Sequence, residues 1–165
     1  MLSQIRQTKK EQGFTIIEVL IVLAIAGLIL LVVFLAVPAL QRNARNTERT
    51  TDAGNILSSM SEYVGNNNGR LPPTANGMNG SGASLVIGAT GSNTIPVNLG
   101  YYDAADVDIA DYPGVDSNET TTDTILVLKS ASCDPDNVGQ PLDGSTRSVV
   151  ILYTLEIDSK QCRAS

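Results

Sequence analysis

The sequence predicts an α+β chain: a long N-terminal helix, apolar in its first half and amphipathic in its second, packed on a small antiparallel β-sheet. Three observations carry this reading. From Val19 to Leu40 there are 22 residues without a charge or a strongly polar side chain. At ~1.5 Å per residue such a helix spans roughly 33 Å, enough for a hydrocarbon core of ~30 Å. Beyond it, Ala53, Ile56, Leu57, Met60, Tyr63 and Val64 recur at three- and four-residue spacing, the period of one buried helix face. Near the C-terminus, Thr124–Lys129 (TILVLK) and Ser148–Ile157 (SVVILYTLEI) are apolar and rich in β-branched residues, as strands are.

Composition narrows the function. A chain of 165 residues holds one domain, or a small domain with an appendage. It contains no His, which excludes imidazole bases and imidazole metal ligands and with them most triads and most zinc enzymes. Two Cys residues are too few for a thiolate metal cage but enough for one disulfide. A formal charge of −6 argues against binding duplexes through a basic surface. No phosphate-cradling Gly motif is present, so neither an enzyme nor a cofactor is expected.

The N-terminal segment admits three readings. Met1–Gly13 is polar, with Arg6, Lys9 and Lys10 against Glu11, and the only charge in Phe14–Leu40 is Glu18. Leading basic residues predict a cytoplasmic N-terminus, a bias that Arg42, Arg45 and Arg49 weaken. An ordinary signal peptide has an apolar region of ~7–15 residues before a small-residue cleavage site. Val37-Pro38-Ala39 offers such a site, but the run is too long and contains Glu18. A plain signal anchor leaves Glu18 unexplained, and a carboxylate at membrane depth is a functional candidate by default. The third reading lies in the junction Gly13-Phe14-Thr15-Ile16-Ile17-Glu18.

The string KKEQGFTIIEVLIVLAIAGLI, within Lys9–Ala39, resembles the leader and N-terminal helix of type IV prepilins and pseudopilins. Its ordered parts are a basic leader, Gly, an aromatic residue, three uncharged residues, Glu and a long apolar helix. The resemblance implies cleavage between Gly13 and Phe14 by a membrane-embedded prepilin peptidase, which then N-methylates Phe14. It implies residues 1–13 as leader, 14–40 as membrane and filament-core helix, and 41–165 as the globular α+β part. Glu18 then assists assembly by meeting the Phe14 ammonium of a neighbouring subunit and fixing axial register. The alternatives are that Glu18 snorkels to the interface or pairs with its own terminus. Gly27 and Pro38 interrupt the helix pattern: in this family such residues bracket a stretch that loosens in the filament, and in any membrane helix they are tolerated kinks.

The function implied is a structural subunit of a type IV pilus-like filament. Its partners would be copies of itself, the prepilin peptidase, an assembly ATPase with its inner-membrane platform, and the membrane, with no direct nucleic-acid binding. The precursor would sit in the inner membrane and the product in an extracellular pilus, where such filaments serve adhesion and twitching motility. The alternative within the family is a pseudopilin or minor pilin of a type II secretion or DNA-uptake machine. From another class, a signal-anchored enzyme or ligand-binding module stands against the missing His and the low aromatic content.

The remaining segments follow in order. The long helix should end at Gly65-Asn66-Asn67-Asn68-Gly69, with Pro72-Pro73 beyond. Arg42, Arg45, Glu48, Arg49, Asp52 and Glu62 mark its polar positions. Arg70–Gly100 reads as an irregular connection with one short strand at most, around Leu85–Ile87. Asp103–Asp123 holds seven acids and no base, a solvated loop rather than a recognised calcium spacing. The run Asp134–Gly139 opens like a calcium loop but has Val138 at its fifth position. Ser130–Arg147 is a polar connection, and Asp158-Ser159 turns the chain into a short last strand over Lys160–Arg163. In an exported domain Cys133 and Cys162 are expected to form a disulfide, and many type IV pilins tie a C-terminal region with one such bridge. The alternative is two free thiols.

Overall fold

In the computed structural model, the residues described are 13–75, 77–89, 93–114, 120–157 and 159–165. The chain divides into two units, Met1–Gln41 and Arg42–Ser165. One helix, α1 (Ile16–Asn66), supplies most of the first and opens the second. It starts two residues later than the sequence pattern implied because Thr15 caps it. Its end follows the glycine signal. Asn68 and Gly69 take positive φ values of 56° and 79°, and the Gly69 N–H donates to the Val64 carbonyl at 2.8 Å, closing the last turn as left-handed helix ends do.

In the first unit every residue from 13 to 41 is exposed. Such a surface, apolar all round, has no partner within its own unit and fits lipid or other helices. By length and composition it can cross a membrane.

In the second unit the helix buries one stripe: Arg49, Asp52, Ala53, Ile56, Met60 and Tyr63. Among the described residues nine strands follow: β1 (Met78–Ser81), β2 (Ser84–Ile87), β3 (Ile95–Asn98), β4 (Val107–Asp111), β5 (Ile125–Lys129), β6 (Ala131–Cys133), β7 (Pro141–Asp143), β8 (Val149–Leu155) and β9 (Ser159–Ala164). They form a three-stranded sheet β1-β2-β3, a four-stranded sheet β4-β5-β8-β9 and the hairpin β6-β7. The α+β class stands, but the larger sheet is mixed: β4 runs parallel to β5, with Val107 beside Ile125. Residues 112–124 between them make a connection of the dozen or more residues that a parallel pair needs.

Alternation along the central strands builds two buried faces. Ile125, Val127, Val149, Ile151 and Tyr153 join the helix stripe and the three-stranded sheet in one core. Leu126, Leu128, Val150 and Leu152 point the other way, into a second cluster with Ala110 and Ala131 against which Tyr112, Cys133 and Cys162 pack. A strand buried on both faces reads as a continuous apolar run, which is why Ile125–Lys129 has no exposed position.

Three expectations need correcting. Arg70–Gly100 holds three strands, not one at most. The unforeseen β1, Met-Asn-Gly-Ser, is an exposed edge strand held to β2 by backbone pairing, so no apolar alternation marks it. Gly80 permits the close approach, since a Cβ there would lie 2.2 Å from the Ser84 carbonyl oxygen. The acidic stretch Asp103–Asp123 is not one loop but contains β4, in which Val107 and Ala110 are buried while Asp108 and Asp111 are exposed. Its Asp116 and Glu119 lie outside the described residues. The polar connection Ser130–Arg147 contains β6 and β7, which cover the second sheet face. At the last turn, Asp158 lies outside the described residues and Ser159 already opens β9.

Candidate functional site at the start of the helix

Gly13, Phe14 and Thr15 precede the helix in non-helical backbone. A Cβ at Gly13 would meet nothing within 4 Å, and Phe14 is 89% exposed. The leader residues 1–12, including Arg6, Lys9 and Lys10, lie outside the described residues. Thr15 and Glu18 form a capping box, the Thr-x-x-Glu arrangement that satisfies the free donors of a helix start. The Thr15 N–H and hydroxyl both donate to Glu18 Oε2, at 2.9 and 2.7 Å. The Glu18 N–H donates back to Thr15 Oγ1 at 3.3 Å.

Phe14, Val19, Val22 and Leu23 border a shallow apolar groove with Glu18 on its rim. The structure thus brings Phe14 and Glu18 of one copy to the same groove. Gly27 and Pro38 lie inside the continuous helix, and a Cβ at Gly27 would meet nothing within 4 Å. Thr15 is the residue sequence reasoning passed over, although Thr three places before Glu and ahead of an apolar run is itself the signal.

Elsewhere the second unit carries its own polar framework. The Asp52 carboxylate accepts the N–H groups of Gly100 (2.8 Å), Tyr101 (2.8 Å) and Tyr102 (3.2 Å), fastening the β3–β4 connection to the helix. Arg49 Nη2 donates to the Tyr101 hydroxyl at 2.6 Å, and its guanidinium lies 4.3 Å from that ring's centroid. Tyr101 meets Tyr102 edge-on at 5.0 Å. Arg45 pairs with Glu156, and Asn46 Oδ1 accepts the Glu156 N–H at 2.9 Å, fastening the β8–β9 turn. The Arg45 hydrogen bond holds the Glu156 carboxyl below its ordinary range. The Thr74 hydroxyl, and after it Lys129, does the same for Asp111. Burial pushes the Tyr102 phenol up. Arg49 and Asp52, read from the sequence as polar-face positions, are therefore 2% and 1% exposed. Stepping the apolar stripe back from Ile56 by four and by seven residues lands on Asp52 and Arg49.

A disulfide joins Cys133 to Cys162 with a Cα separation of 5.8 Å. Register explains the meeting. Cys162 sits opposite Leu152, whose side chain lies on the second sheet face, and β6 delivers Cys133 to that same face. Asp134 accepts the Asp136 N–H and the Asn137 side-chain amide, both at 2.8 Å, so its oxygens serve the loop itself.

An exposed apolar helix with one capped acid in its first turn, at the head of an α+β unit, fits a membrane-anchored precursor. Residues 8–34 match the prokaryotic N-terminal methylation motif, the kind of class III leader that type IV pilins and pseudopilins carry. The motif supports a structural protein of type IV pilin-like or pseudopilin kind, and a motif of this type implies processing by a prepilin peptidase and assembly into a filament. No curated protein and no solved structure matches the chain.

Proposed function

We propose that the chain is the structural subunit of a type IV pilus-like filament. Residues 1–13 are the leader, removed by cleavage between Gly13 and Phe14, and Phe14 is then N-methylated. Residues 14–40 anchor the precursor in the inner membrane with its N-terminus in the cytoplasm, then form the filament core. Residues 41–165 become the surface of an extracellular pilus. An assembly ATPase and its inner-membrane platform move the subunit from one state to the other, and no direct nucleic-acid contact is required. Within the filament Glu18 neutralises the Phe14 ammonium of a neighbour, while Gly27 and Pro38 are the points at which the helix loosens.

What supports this most is a helix exposed and apolar on every side from Ile16 to Leu40 with a single carboxylate in its first turn. A surface of this kind must be covered, and a lone acid in lipid is functional by default. Shearing surface filaments from cells and weighing the N-terminal peptide of their main protein tests the reading. The expected terminus is N-methylated Phe14, and Gly13→Leu should block maturation while leaving membrane insertion intact. A mature start at Leu40 would establish an ordinary signal peptide instead, and filaments lacking the chain would favour the pseudopilin or minor-pilin alternative.

A further inference from the structure

The capping box does more to Glu18 than close the helix. Both donations from Thr15 fall on the same carboxylate oxygen, Oε2. Oε1 accepts no hydrogen bond among the described residues. The carboxylate is therefore tied by one oxygen and presents the other from an exposed site. Thr15 is suited to this because its hydroxyl acts in both directions, accepting the Glu18 N–H while donating to the Glu18 side chain. A side chain with only an acceptor at this place would cap the helix but repel the carboxylate. One with neither would leave Glu18 held only by the backbone N–H of residue 15, a looser tether whose remaining rotamer freedom any intermolecular contact would then have to overcome.

We infer that Thr15 is a positioning residue for assembly: its hydroxyl aims Glu18, holding Oε2 and leaving Oε1 for the ammonium of a second copy. The inference rests on the filament reading above and adds a residue to it. It also accounts for a carboxylate that is engaged within its own chain and still available to a neighbour, since a carboxylate has acceptor sites to spare on two oxygens.

Full-length chains carrying Thr15→Val, Thr15→Ser and Glu18→Ala should be compared in one strain for membrane level, cleavage, and filament yield per cleaved molecule. Val matches Thr in shape and lacks the hydroxyl. Thr15→Val should insert and be cleaved normally, yet lose roughly fivefold in filament yield, the factor corresponding to a helix cap's ~1 kcal/mol. Thr15→Ser should restore nearly full yield, which separates the hydroxyl from the methyl group's packing. Normal assembly of Thr15→Val beside a failing Glu18→Ala would overturn this inference alone. Equal failure of the Val and Ser variants would overturn it too, as would loss of cleavage in Thr15→Val, which would place the hydroxyl in peptidase recognition. Normal assembly of Glu18→Ala would remove both the inference and the filament role of Glu18.

Discussion

The two halves of α1 differ in what completes them. Before Gln41 the helix exposes aliphatic side chains on every side, and its one strong polar arrangement, the Thr15–Glu18 box, lies at its extreme start. After Arg42 it exposes polar residues and buries one stripe, and even the charged members of that stripe have partners inside the unit. The first half is unfinished without lipid or other chains, whereas the second is finished by its own sheets. One continuous element thus serves two solvents, and damage to either half should register in a different measurement. Changes after Arg42 should alter the folding of the second unit and leave insertion and cleavage untouched.

The largest effect that sharpens this contrast belongs to Asp52. Its carboxylate satisfies three backbone donors and is itself 1% exposed. Asp52→Ala removes the acceptor and strands those donors, and losing one partner of a buried charged arrangement costs ~3–5 kcal/mol. Urea titration of the detergent-solubilised chain should show that loss in the second unit, with cleavage at Gly13 unchanged. Asp52→Asn retains one acceptor oxygen and should lose less than half as much. A neutral Asp52→Ala would mean that the β3–β4 connection is held by its apolar contacts, chiefly Tyr102, and not by the carboxylate.

Next in size is the disulfide. It closes a loop with a sequence separation of 29 residues, worth about 3.5 kcal/mol through the entropy of the unfolded chain. Cys133→Ser should lower the stability of the second unit by that order without affecting insertion. Thiol alkylation before reduction should label neither Cys in the wild-type chain. Ready labelling of both would show that the bridge does not form in the cell.

How much of this was legible in the sequence follows from which interactions leave a pattern. The apolar run before Gln41 is long and uninterrupted and the stripe Ala53–Tyr63 is periodic, so helix and core face could both be read. The strands Ile125–Lys129 and Val149–Leu155 are apolar enough to announce themselves. Strand β1 is paired to β2 through its backbone, and of its side chains only Met78 is partly buried, so no alternation announces it. Arg49 and Asp52 were misplaced because charge ordinarily marks the solvated side of a helix. Their partners, the Tyr101 ring and three amides, lie about 50 residues away along the chain. At the candidate site, Gly13, Phe14 and Glu18 stood out through their order. Thr15 was legible as the first residue of a capping box with Glu18, but which oxygen of Glu18 it holds depends on side-chain geometry that no spacing encodes.

The smallest expected effect tests whether the buried framework is uniformly needed. Tyr102 is 2% exposed, and its hydroxyl has no hydrogen-bond partner among the described residues. A buried hydroxyl without a partner contributes desolvation cost and no compensating bond. Tyr102→Phe should therefore be neutral or slightly stabilising at pH 7, within about 1 kcal/mol, in contrast to Asp52→Ala one contact away. The pH dependence gives the sign independently. Burial raises the Tyr102 phenol above its ordinary value, so the folded state keeps this proton at pH values where the unfolded chain, titrating near 10, has lost it. The stability associated with that proton is complete below about pH 10 and declines as pH rises toward the folded value, by at most ~1.4 kcal/mol per pH unit. Urea midpoints measured between pH 8 and pH 11 should fall more steeply above 10 in the wild-type chain than in Tyr102→Phe. Parallel curves would show that the phenol ionises as readily in the folded chain as in the unfolded one. Marked destabilisation of Tyr102→Phe at pH 7 would show instead that the hydroxyl makes a bond on which the core depends.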